Sequence, residues 1–156
     1  DSTGIEHIKQ LAGHKICAHA PPNLGTLIMY SQYDNPARQP VIIVTDGYDK
    51  IYRALLDGKC EAAMLPLHSV EKFDPSGGHV RVVMRTRALP EQAFSAGLRV
   101  SPAERAKIAE ALLSPAAGGV VTKFFEAYGA GKGFVPAATS DYAGLGEYLL
   151  SVWGYY

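Results

Sequence analysis

Apolar positions in the first half of the chain fall into short runs separated by turn residues. Residues 15–18, KICA, predict a short buried strand, and beyond a break at Ala20-Pro21-Pro22-Asn23 the residues Leu24, Leu27 and Ile28 recur at the spacing of one helical face. Pro21 and Pro22 fix their own φ, and Pro22 restricts the residue before it, so residues 20–23 are predicted to be a forced turn held extended, with Asn23 as the N-cap. Pro36 ends that helix. Residues 41–44, VIIV, are β-branched throughout and predict a fully buried strand. A stripe of Tyr48, Ile51, Tyr52, Leu55 and Leu56 predicts a helix over 48–57, closed by Gly58. Residues 62–65 predict a third buried strand, stopped by Pro66.

Strand, helix, strand, helix, strand is the order of a parallel sheet with crossover helices. Ligands of such sheets lie beyond the carboxyl ends of the strands, which here are residues 18–23, 45–48 and 66–68.

The second half is less regular. Residues 67–73 predict a short helix before Asp74-Pro75-Ser76-Gly77-Gly78, the strongest turn cluster in the chain. Val80, Val82 and Met84 alternate with Arg81, Val83 and Arg85, which predicts a strand over 80–85. Pro90 then separates two extended segments, so 86–92 is expected to cross between lobes and 93–100 to be a strand of a different sheet. Ser101 and Glu104 form a capping box with Pro102 in the first helical position, and Ile108, Ala109, Leu112 and Leu113 predict a buried stripe. Ser114-Pro115 stops that helix. Val120, Val121, Phe124, Phe125 and Tyr128 mark another, ended by Gly129, and after a short extended piece Thr139 or Ser140 is expected to cap a last helix with Tyr142, Leu145, Leu149, Val152 and Trp153 on one face.

Composition narrows the function classes. A chain of 156 residues suits one ordinary domain or two small lobes. With 15 basic and 15 acidic residues and 47% hydrophobic content it has a globular make-up, and the absence of any basic cluster argues against a nucleic-acid partner. No apolar run approaches the roughly 18 residues that cross a bilayer. The start at Asp1 rather than Met is expected of a processed or trimmed product.

A helix that begins where a strand ends has unpaired N–H groups and a partial positive charge. The turn at Asn23 and Gly25 is therefore the leading candidate cradle for a polar or anionic ligand, Gly25 because it lets a ligand approach the backbone. Strand-to-helix turns that bind nothing are the commoner case, so the assignment needs support beyond spacing.

Other chemistry is sparse. Gly129 to Gly133, GAGKG, lacks the spacing of a phosphate loop and follows a helix rather than a strand. His7, His14, His19, His68 and His79 have no metal-ligand spacing, and Cys17 and His19 lack a third group to form a nucleophile and base. Glu6, Asp46, Asp49 and Glu61 read as caps and solvated ends. Cys17 and Cys60 are either two small buried hydrophobes or a disulfide. The pattern favours binding over bond breaking, with neither metal nor other cofactor.

The segment LAGHKICAHAPPNLGT resembles the "L-x-G-K, strand, Pro, small polar turn, helix" opening of the second lobe in phosphonate- and phosphite-type solute-binding proteins of ABC transporters. DGYDKIYRALLDGKCEAAML is similar to that family's run of Gly, His or Tyr, then Ala-Leu and Gly, ending in Asp-Ala, and RVVMRTRALPEQAF resembles its strand and Leu-Pro crossing. TSDYAGL looks like its "A-x-D-Y" segment.

The resemblance implies a periplasmic-binding-protein type II α/β fold with a mostly parallel sheet, lacking the first lobe's opening ~100 residues. It further implies residues 1–10 as a leader, 11–86 as the ligand-binding second lobe, and 87–156 as the return crossing and C-terminal first-lobe segment. Carried over by position, the ligand-binding residues are Asn23, Leu24, Gly25, Thr26, Tyr48 and His68. The family commonly has Ser and Thr hydroxyls where this chain has Asn23-Leu24-Gly25, and His where Tyr48 stands, so a different or weaker ligand is expected.

The implied protein is an extracytoplasmic domain that holds a small polar or anionic solute of phosphate or phosphonate type and passes it to an ABC permease. The rival role for the same fold is a ligand-sensing input domain acting on a signalling partner, and an enzyme using Cys17 or His68 is the least favoured. A second copy completing the missing lobe is a further expected partner, and membrane anchoring outside this segment is compatible with either role.

Overall fold

The computed structural model describes residues 4–90, 93–128, 133–147 and 150. Its elements are β1 (Lys15–Ala18), α1 (Leu24–Tyr30), β2 (Val41–Val44), α2 (Tyr48–Leu56), β3 (Ala62–Ala63), α3 (Leu67–Phe73), α4 (Pro102–Leu113) and α5 (Pro115–Tyr128). Short 3-10 turns occupy Ile8–Leu11, Pro36–Arg38 and Thr139–Tyr142. The chain divides into two compact units, Asp1–Arg87 with Gly144–Tyr156, and Ala88–Ala143.

The first unit is built on a three-stranded parallel sheet of order β2-β1-β3. Ile16 pairs with Ile42 on one side and Ala62 on the other, which makes β1 the central strand. Side chains of a strand alternate between faces, and β1 uses both. Ile16 and Ala18 pack with Leu11, Met29 of α1 and Tyr33, whereas Cys17 packs with Ile51 and Ala54 of α2. Helices therefore cover both faces of the sheet, as crossover connections require.

On the α2 face a disulfide joins Cys17 to Cys60 in the turn before β3, which resolves the two readings of the cysteines. That turn is closed by Gly58, whose φ of +69° suits glycine, and by Schellman bonds from Gly58 N–H to the Leu55 carbonyl (3.1 Å) and from Lys59 N–H to the Ala54 carbonyl (3.0 Å).

Several expectations are corrected. The β2 segment VIIV is an edge strand rather than a fully buried one: Val41 and Val44 are 54% and 58% exposed because only β1 lies beside them. The third strand is confined to Ala62–Ala63, although Met64 N–H still donates to the Cys17 carbonyl (3.0 Å). No strand forms over 80–85, where the Val80 amide turns to the Asp74 carboxylate and the Arg81 guanidinium donates to the Ile5 carbonyl. Nor is there a strand among the described residues of 93–100, which end in a turn closed by Val100 N–H to the Gly97 carbonyl.

In the second unit the Ser101 capping box forms as expected, with Ser101 Oγ accepting from Glu104 N–H and the Glu104 carboxylate accepting from Ser101 N–H (2.8 Å). The predicted buried stripe does not: α4 buries none of its residues, and Ile108 and Leu113 stay nearly half exposed. Pro115 opens α5 directly after the Ser114 cap, so the two helices are joined without a linker. The apolar contacts of this unit come instead from Phe94, Phe124, Phe125 and Phe134, with ring centroids 4.9 to 6.1 Å apart. Toward the C-terminus the chain makes a 3-10 turn at Thr139–Tyr142 before helical backbone at 145–147, while Leu149, Val152 and Trp153 lie outside the described residues.

Candidate functional site

Because the strands are parallel, their carboxyl ends open on one edge of the first unit. After β1 the chain passes through His19 and reverses at residues 20–23, where Asn23 N–H donates to the Ala20 carbonyl (3.2 Å) and the Pro21–Pro22 bond is cis. The break is thus the turn expected at 20–23, closed on itself rather than held extended. Asn23 is the N-cap: its Oδ1 accepts from Thr26 N–H at 3.2 Å, and its carbonyl accepts from Leu27 N–H at 3.0 Å. The Leu24 and Gly25 amides, at the start of the seven-residue α1, have no acceptor among the described residues.

Thr26, the one side-chain hydroxyl among residues 23–26, is turned inward. Its side chain is fully buried, and Oγ1 donates to the His19 carbonyl at 2.9 Å, tying the end of β1 to the first turn of α1. Gly25 is half-buried, and a Cβ placed there would lie 3.2 Å from Asn23 Oδ1 and 3.3 Å from Met64 Cε. The methionine just past β3 therefore packs against the start of α1.

The β2 end supplies a second cluster. Thr45 N–H donates to the Ala18 carbonyl (3.0 Å), which carries the β1–β2 ladder one residue further, and Gly47 at φ +97° turns the chain into α2. This brings Asp46 and Tyr48 to His19. The Tyr48 ring meets the imidazole edge to face at a centroid distance of 4.9 Å, and Asp46 Oδ1 lies 3.7 Å from His19 Nδ1. His68, in the first turn of α3, is exposed and has no contact joining it to either cluster among the described residues.

The structure thus joins His19, Thr26, Asp46 and Tyr48 around the ends of β1 and β2, and joins Gly25 to Met64. Sequence reasoning missed His19 and Asp46, which stood among solvated histidines and capping acids. The available signal was positional: each lies just beyond the end of a strand.

A second polar cluster closes the turn after α3. The Asp74 carboxylate is buried and accepts from the backbone N–H groups of Gly78 (3.2 Å), His79 (3.0 Å) and Val80 (3.0 Å), and it bonds His79 Nδ1 at 3.0 Å. The His79 side-chain bond, aided by the backbone donors, holds the Asp74 carboxyl down to about 2. Each acceptor site of this carboxylate is spent on its own loop, so it serves to fix residues 74–80.

The disulfide removes Cys17 as a nucleophile, and no cysteine among the described residues is free. No group of His, Cys, Asp and Glu among the described residues is arranged to hold a metal. None of the described helices is long and apolar enough to cross a membrane. The arrangement offers donors and rings at a strand edge, which is chemistry for holding a solute. A family model described as ABC transporter, phosphonate, periplasmic substrate-binding protein matches residues 1–142. No curated protein matches the chain.

Proposed function

The chain belongs to the phosphonate-type periplasmic substrate-binding proteins of ABC transporters, and from that membership we propose that it captures a small anionic solute of the phosphate or phosphonate class and hands it to a permease. The family match over residues 1–142 is the observation that carries this reading. Members of this family bind and deliver a solute without transforming it.

The ligand sits at the carboxyl edge of the sheet. Backbone amides of Leu24 and Gly25 face it, Asn23 and Thr26 hold that turn in shape, Tyr48 flanks it from the start of α2, and His68 forms the outer rim beyond β3. What supports this assignment is that the unpaired amides and the His19–Tyr48 ring pair both follow strand ends, where parallel sheets bind their ligands. The Cys17–Cys60 disulfide supports an extracytoplasmic setting, since such bonds persist in oxidising compartments.

Calorimetry against phosphate, phosphite, sulfate and methylphosphonate tests the ligand class. Saturable binding of at least one is expected; failure of all four, with another solute binding, overturns the class but leaves the family standing. Stimulation of uptake through a permease by the loaded protein then separates transport from sensing, because a sensing domain binds its solute without supporting uptake.

A further inference from the structure

Resting on the solute-binding reading, we propose that His19 is the residue that selects a tetrahedral oxyanion at the strand ends, donating from Nε2 while Asp46 engages Nδ1. The side-chain oxygens of the neighbouring turn are already committed elsewhere. Thr26 Oγ1 is bonded to the His19 carbonyl, Asn23 Oδ1 to the Thr26 amide, and Gly25 carries no side chain. The hydroxyl-rich means of gripping an oxyanion is therefore missing from this turn.

His19 is held on each side that the structure describes. Its carbonyl is fixed by Thr26 from α1, its ring meets Tyr48 from α2 in a T-shaped contact, and Nδ1 looks toward Asp46 from the β2–α2 loop at 3.7 Å. The imidazole is only 25% exposed, whereas the Asp46 side chain is 91% exposed and free to follow the ring. The opposite nitrogen, Nε2, has no partner among the described residues. Asp46 and Tyr48 are the titratable groups that face the ring, and Asp46 is the one ion-pair partner within reach among the described residues.

A neutral imidazole has one N–H and one acceptor nitrogen; the cation has N–H at both. Only the cation satisfies Asp46 at Nδ1 and a fully ionised oxyanion at Nε2 together, and charge-assisted bonds of that kind are the strong ones. Recognition through His19 consequently weakens when the ring loses its second proton. The selected class is a small oxyanion whose head group takes a strong donor from this side chain.

The test is titration calorimetry of methylphosphonate and inorganic phosphate with the protein and its His19→Gln variant at about pH 6 and about pH 8. The substitution keeps the backbone carbonyl that Thr26 uses, and the ratio of the two affinities at each pH cancels ionisation of the ligand. The expected ratio is about tenfold or more at the lower pH, shrinking toward one at the higher. His7→Gln, at an exposed position away from the site, is expected to titrate like the parent protein. A ratio of one at both pH values, while the parent protein binds, overturns the role of His19 and leaves the solute-binding reading intact. Absence of any oxyanion binding by the parent protein overturns both. Should His19→Gln fail to fold, the His19 ring proton followed by NMR in the parent protein decides: a shift on adding methylphosphonate supports the proposal, and an unmoved signal at saturating binding overturns it.

Discussion

Cys17, in the central strand, is bonded to Cys60, which precedes its neighbour β3 and lies 43 positions further along the chain. The bond ties the middle of the sheet to the one edge that has only two ladder residues, Ala62–Ala63. Closing a loop of that length restricts the unfolded chain, and its loss is expected to cost about 3–4 kcal/mol. Denaturant unfolding of the Cys17→Ala/Cys60→Ala protein measures this, and addition of a reductant should lower the midpoint of the parent protein but not of the variant.

Asp74 gives the fold an acid-sensitive element. Its folded pKa, about 2, lies below the ordinary value of 3.8, so its contribution is complete above that ordinary value and is lost as pH falls from about 4 toward about 2. Stability measured over that interval should decline in the parent protein. In Asp74→Asn that part of the decline should vanish, and the amides of Gly78, His79 and Val80, which donate to the carboxylate, should exchange faster at neutral pH.

Thr26→Val and Tyr48→Ala are expected to separate support from contact. The first strands a part-buried carbonyl at His19 and should cost about 1–3 kcal/mol of stability, with weaker solute binding as a consequence of the loosened turn. The second removes a partly exposed ring and should weaken binding by about 1–3 kcal/mol with little change in melting temperature. Parallel thermal melts and calorimetry distinguish the two patterns; equal effects in both would contradict the division.

In the second unit, Ser101→Ala removes the N-cap of α4. Because this helix buries none of its residues, the cap is a large share of what holds its start, and a loss of about 1 kcal/mol is expected. Amide exchange in the first turn, at residues 102–105, is the appropriate measurement.

The elements legible in the sequence were those that local chemistry dictates. Asn23 and Ser101 cap as their side chains predict, Gly58 closes α2, and the alternation of strand and helix pointed to the parallel sheet. Features that depended on distant partners were read less well. VIIV looks buried by composition, yet strand order, which no local pattern encodes, puts it at the edge. Val80 has the alternation of a strand, but a buried carboxylate six residues earlier takes its amide. Within the site, the spacing pointed to the Asn23–Gly25 turn, while the His19, Asp46 and Tyr48 cluster arises only when two strands pair in register.

The contact between Gly25 and Met64 couples two positions that are far apart in sequence. Any residue at 25 larger than glycine presses on the capping oxygen and on the methionine methyl, so bulk gained at 25 is accommodated only as far as the side chain at 64 gives way by a few tenths of an ångström. A relative that places a hydroxyl at position 25 is accordingly expected to carry a shorter side chain at position 64, and the pair should exchange as a unit when the grip on the solute is re-engineered.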